Sequence, residues 1–185
     1  MSHPHVSGPG RVLPPIPAPL PADIREKILA LLPRYPSKQA VTLPALHLVQ
    51  DRLRCVPDWA IVEIADILDL SPAEVHDTMT FYGFFRGESD RLGVRRLWVC
   101  RSLACALRGA DDLLAKASDM LGVPVGGTTA DGSITLELAE CLGACEGAPA
   151  CMVDDEHIHD IADESKMLEL IGRLRATAPN PAAGN

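Results

Sequence analysis

The chain has 185 residues, a formal net charge of −8 and 47% apolar residues, with aromatics at only 4%. That is enough for one ordinary domain or two small ones around an aliphatic core. The acidic balance argues against partners such as nucleic acid or anionic lipid, which need clustered Lys and Arg, and no apolar run reaches the ~18 residues of a membrane span.

Residues 1–21 form a Pro-rich tail that includes Pro14-Pro15-Ile-Pro17-Ala-Pro19-Leu-Pro21. Proline fixes φ and removes donors, so this segment is expected to stay extended and disordered. It has neither the n-region and apolar run of a secretory signal nor the Arg-rich amphipathicity of a transit peptide, which predicts a soluble, cytoplasmic protein. His3 and His5 read as solvated.

Residues 22–90 read as a small helical bundle. Asp23-Ile-Arg-Glu26 resembles a capping box, and Ile24, Ile28, Leu31 and Leu32 follow at helical spacing. Pro44 suits a first turn ahead of Leu46, Val49 and Leu53. A third helix carries Ile61, Ile64, Ile67 and Leu68. Ser71-Pro-Ala-Glu74 starts a fourth, with Ser71 as cap, proline in the first turn, and Leu70 and Val75 placed as a hydrophobic staple. Phe81-Tyr82-Gly83-Phe84-Phe85 closes the bundle, either as core or as a docking surface, with the helix ending near Gly83.

Residues 91–177 change character. Val94–Cys100 reads as a strand, Gly109–Leu121 as a helix with Asp111 and Asp112 in its first turn, and Ser133–Glu140 as an alternating strand. A hairpin over Cys151–Asp154 and Glu156–Ile161 and a last helix near 163–175 complete a β-α-β-β-α order, that of a thioredoxin-like fold. Residues 178–185 read as a disordered tail. The fold class expected is α+β: a helical bundle followed by a thioredoxin-like α/β domain.

Four of the six cysteines fall into two pairs, Cys100-Arg-Ser-Leu-Ala-Cys105 and Cys141-Leu-Gly-Ala-Cys145, with 35 residues between them. Each pair follows a strand, and in the expected fold the two loops lie side by side. Zinc knuckles favour a gap of about two residues, whereas the gaps here are four and three residues. Four thiolates in two pairs are the usual ligand set of a [2Fe–2S] cluster. Zinc, disulfides or inert thiols are the competing readings, and disulfides need an oxidising compartment. Cys55 reads as an inert core thiol. Cys151 reads as a buried small hydrophobe, a spare thiol beside the site. His157 and His159 read as solvent-facing.

The C-x₄-C pair, the run Glu140-Cys-Leu-Gly-Ala-Cys145, Ala148-Pro149, Ser71-Pro-Ala-Glu74 and Thr80-Phe81-Tyr82 together resemble the thioredoxin-like [2Fe–2S] ferredoxin family, in particular the small E-type iron–sulfur subunit of NADH-quinone oxidoreductase (respiratory complex I). The likeness covers about residues 22–176. It implies Cys100, Cys105, Cys141 and Cys145 as cluster ligands, and a one-electron carrier beside the flavin of an NADH-oxidising complex. FMN and NADH would sit on a partner subunit, in keeping with the absence of G-x-G-x-x-G after a strand. It also implies attachment to the cytoplasmic face of a membrane through that complex. The same module serves NAD(P)-linked hydrogenases and formate dehydrogenases, and a zinc-stabilised scaffold is the non-redox alternative. Two departures stand out: Arg101-Ser-Leu-Ala104 fills a gap that is commonly Thr- and Pro-rich, and Cys151 replaces an apolar residue. Glu140, Glu146 and Asp154–Glu156 predict a low reduction potential, blunted by Arg101 and Arg108.

Overall fold

The computed structural model describes residues 19–177. His3, His5 and most of the Pro-rich tail, like the tail over 178–185, lie outside the described residues; Leu20, near the end of the Pro-rich segment, is buried. The described residues separate into two compact units, one of residues 19–48 with 57–82 and one of residues 49–56 with 83–177.

The first unit is helical. Helix α1 (Ala22–Leu31) buries Ile24 and Ile28, but Asp23 does not cap it: Pro21 holds the cap position, no side chain caps the helix, and Asp23 lies in the first turn. Helix α2 (Thr42–Leu53), of which residues 42–48 belong to this unit, has Pro44 in its first turn, and α3 (Asp58–Leu68) buries Ile61, Ile64, Ile67 and Leu68. Helix α4 (Pro72–Phe81) begins with the complete Ser71–Glu74 capping box. Within α3, buried Glu63 accepts from Leu20 N–H at 3.0 Å and faces Arg25 Nη1 at 3.7 Å, a carboxylate that the apolar pattern of the helix conceals. The aromatic run divides. Phe81 ends α4 at 79% exposure, Tyr82 leaves the helix in an extended conformation, and Phe85 is buried.

The second unit is built on a four-stranded sheet of order β2-β1-β3-β4. Its strands are β1 (Arg95–Cys100), β2 (Ile134–Ala139), β3 (Cys151–Val153) and β4 (Glu156–Ile158). β1 and β2 run parallel, joined by α5 (Leu103–Ala106) and α6 (Ala110–Leu121), while β3 lies antiparallel to both β1 and β4. Leu97, Val99, Ile134, Leu136, Cys151 and Val153 meet Leu113, Ala117 and Leu121 of α6 and Met167, Leu170, Ile171 and Leu174 of α7 (Glu164–Thr177) in one aliphatic core. With so few aromatics, the core is filled by interlocking branched chains. The alternate positions Arg96, Trp98 and Glu137 take the other side. There Glu137, 3% exposed, pairs with both Arg86 and Arg96, and Arg96 also donates to Phe84 O and stacks on Trp98. These bonds fasten the segment after Gly83 to the sheet.

Candidate metal centre

The register of β1 and β2 governs the site. Cys100 stands opposite Ala139, so both strands end at the same edge and release their cysteine loops together. Cys100 N–H donates to Ala150 O (3.1 Å) and Arg101 N–H to Ala139 O (2.9 Å), which clips the end of β1 between the start of the second loop and the segment that follows it. Cys105 lies in α5, a single helical turn absent from the expected element order, although Ser102 before Leu-Ala-Cys-Ala is a helix-start signal. In the second loop Gly143 has φ 72°, a left-handed conformation suited to glycine, and its N–H donates to Cys141 Sγ at 3.3 Å.

Cys100 and Cys105 are buried, whereas Cys141 and Cys145 are exposed. The buried pair packs among Ala110, Ala144, Ala148 and Ala150, with Ala104 and Leu142 at the margin, so small side chains leave the sulfurs room. Burial pushes the Cys105 thiol up; a backbone hydrogen bond from Ala150 opposes this, and Cys100 and Cys145 add to the rise. The structure therefore brings Cys100, Cys105 and Cys145 into one electrostatic neighbourhood, with Cys141 on the same loop as Cys145. Among the described residues, no three His, Cys, Asp or Glu side chains converge on a single-ion site.

Residues 28–175 match the family described as thioredoxin-like [2Fe-2S] ferredoxin. The chain belongs to that family. It is 36% identical to the NADH-quinone oxidoreductase E-subunit 2 of Rhizobium meliloti (strain 1021) over 153 residues, 83% of this chain and 89% of that protein. To the NADH-quinone oxidoreductase E-subunit of Aquifex aeolicus (strain VF5) it is 30% identical, over 83% of this chain and 94% of the relative. A crystal structure of NAD+-reducing [NiFe]-hydrogenase in the air-oxidized state shares the fold, with a TM-score of 0.64 at 22% identity. That match covers 75% of this chain and only 23% of the hydrogenase chain.

The donor set fits the cluster after which this family is named. A [2Fe–2S] group takes two thiolates on each of two irons, a demand for two pairs and not for one knot of ligands. Two loops at one sheet edge, small neighbours and a backbone N–H already aimed at sulfur meet that demand. Cys151 sits in β3 at 0% exposure within the aliphatic core, and burial pushes its thiol up to about 12, with Cys105 and Cys100 adding to the rise. Cys55 is likewise buried, its thiol raised by desolvation. His157 and His159 are exposed. Of the acidic residues expected around the site, Asp154–Glu156 stand instead at the far end of the sheet, where Arg95 pairs with Asp154 at 3.0 Å and Arg96 N–H donates to the same carboxylate; beside the cysteine loops, Arg101 lies 3.9 Å from Glu140.

Proposed function

We propose that this ferredoxin-family chain is the [2Fe–2S] subunit of an NADH-oxidising, hetero-oligomeric complex of the NADH-quinone oxidoreductase type, with Cys100, Cys105, Cys141 and Cys145 as the cluster ligands. The observation that carries this reading is the parallel register of β1 on β2, which delivers both cysteine loops to one place. When bound, the group supplies one-electron acceptance and release. The chain's own part is to hold it between a buried pair and an exposed pair of sulfurs, close enough to the surface for transfer to another chain. Exposed Leu103 and Leu107 flank Cys105 and support a partner surface there, since large apolar side chains gathered beside a site favour burial against another protein. That partner is the flavin- and NADH-binding subunit. No helix of the described residues is long and apolar enough to cross a membrane.

The domain reading proposed with it is a helical bundle over residues 22–90 and the cluster domain over 91–177. The hydrogenase or formate dehydrogenase assembly is the second reading. The hydrogenase likeness concerns fold alone at 22% identity, and the 36% relative favours the quinone oxidoreductase.

Iron and acid-labile sulfide analysis of anaerobically purified protein, with EPR after dithionite reduction, tests the cluster. About two irons and two sulfides per chain with an S = ½ signal are expected, and each Cys→Ser change at the four positions should lower the iron content. Zinc without iron would replace this reading by the scaffold. Affinity purification from the native host then identifies the assembly by the flavoprotein and membrane or hydrogenase chains that accompany it.

A further inference from the structure

In the second cysteine loop Ala144, Ala148 and Ala150 pack with the buried pair, whereas the ligand positions are open. Cys141, Gly143, Cys145 and Glu146 are exposed. Two hydrogen bonds from outside the loop restrain it: Asp160 N–H to Gly147 O at 2.7 Å and Ile161 N–H to Pro149 O at 3.0 Å. Immediately before these donors stands His159, followed by a left-handed turn at Asp160 (φ 55°). The His159 side chain lies directly on Gly147. A Cβ built at 147 would fall inside the van der Waals envelope of His159 Cβ and Cγ, and 2.7 Å from Nδ1. Glycine at 147 is thus the condition for the ring to seat. His159 is exposed, so the contact belongs to neither apolar core and serves no evident purpose in folding the sheet.

We propose that His159 is a positioning residue for the cluster: its imidazole, seated on Gly147, holds the Cys145 end of the second ligand loop in ligating geometry. This rests on the reading of Cys145 as a ligand. Gly147 is two residues beyond Cys145, within the 3₁₀ turn Cys145–Gly147, so a ring pressed on its Cα limits the swing of that turn and of the sulfur it carries. The ring acts by its shape. Without it, the turn, two backbone hydrogen bonds and the seating of Ala144 and Ala148 are left to restrain an exposed ligand, and the sulfur leaves iron more easily. Outer contacts of metal ligands change affinity by about 10- to 100-fold.

The test compares the full-length wild type with His159→Ala, His159→Phe and Gly147→Ala, all purified anaerobically. The readouts are iron per chain, the EPR g values of the reduced protein, and the rate of visible bleaching under an iron chelator. In His159→Ala, bleaching should be about tenfold faster and the g values shifted, while the thermal midpoint of the chelator-stripped chain stays at the wild-type value. Phenylalanine keeps a ring on Gly147 and should restore wild-type bleaching, whereas Gly147→Ala, which displaces the ring, should reproduce the defect. Wild-type bleaching and g values in His159→Ala would overturn the proposal, as would a Phe variant as defective as Ala. A wild type that holds no iron would overturn the ligand reading and this inference with it. That outcome is distinct from a wild type and a His159→Ala variant that hold iron equally well.

Discussion

Arg101 stands in the first cysteine gap, half-exposed, with Glu140 at 3.9 Å. Reduction of a cluster held by four thiolates adds negative charge, so a nearby cation favours it and a nearby carboxylate opposes it. Replacing Arg101 by Glu changes the local charge by two units and frees Glu140 from its partner. The midpoint potential should fall by about 10–40 mV, less at high salt because the pair is solvent-screened. Redox titration followed by EPR reads this shift directly, and an unchanged or raised potential would refute the electrostatic account. Asp154, counted with the acidic surround in the sequence, lies beside Arg96 near the start of β1, four residues and about 13 Å from the Cys100 end of that strand, and Arg95 and the Arg96 N–H already hold it.

Two elements depend on carboxylates that hydropathy does not reveal. Glu137 lies in β2 at 3% exposure between Arg86 and Arg96. Glu137→Gln leaves the partly buried Arg96 guanidinium without its anion and Arg86 with Asp90 alone, and should destabilise the protein by about 3 kcal/mol in chemical denaturation. The turn into β2 is held by Asp131, which accepts from the Thr129 and Ser133 hydroxyls and from Ser133 N–H; these bonds lower its pKa from 3.8 to about 2. A depressed folded-state pKa contributes stability that is complete above the unfolded value and fades as pH falls through the folded one. Asp131→Asn should therefore be less stable than wild type above about pH 4, with the difference shrinking between about pH 4 and 2. Thermal melts across that range check the sign.

For the whole molecule, a cluster on the proposed ligands would tie the end of β1, through Cys100 and α5, to the loop after β2. Anything that binds the folded chain and not the unfolded one adds to its stability. Removing iron with a chelator should lower the thermal midpoint by at least about 5 °C, given that about 1 kcal/mol shifts a chain of this size by about 2–4 °C. Reconstitution with iron and sulfide should restore it. Calorimetry of the stripped and reconstituted protein makes the comparison, and equal midpoints would mean that the four thiols bear no structural load through the metal.

Much of this architecture can be read in one dimension because its causes are local. The Ser71–Glu74 box forms from residues three apart, the Ile61–Leu68 stripe follows the period of one helix, and the alternation over Ser133–Glu140 follows that of one strand. The cysteine pairs are likewise visible because each lies within a single loop. Where long-range packing decides, the sequence is silent. Phe81 and Phe85 belong to one aromatic run, yet one ends exposed and the other buried, since burial depends on what the fold brings opposite each ring. Glu137 and Glu63 look like surface residues until distant arginines or a distant backbone N–H meet them. Local pattern therefore suffices for the longer helices, the longer strands and the pairing of the four thiols, but not for the single turn α5 that carries Cys105. Folding adds that Cys100 and Cys105 are sheltered while Cys141 and Cys145 are open, and that His159 rests on Gly147. Those outcomes depend on contacts between segments far apart in the chain, which no local pattern encodes.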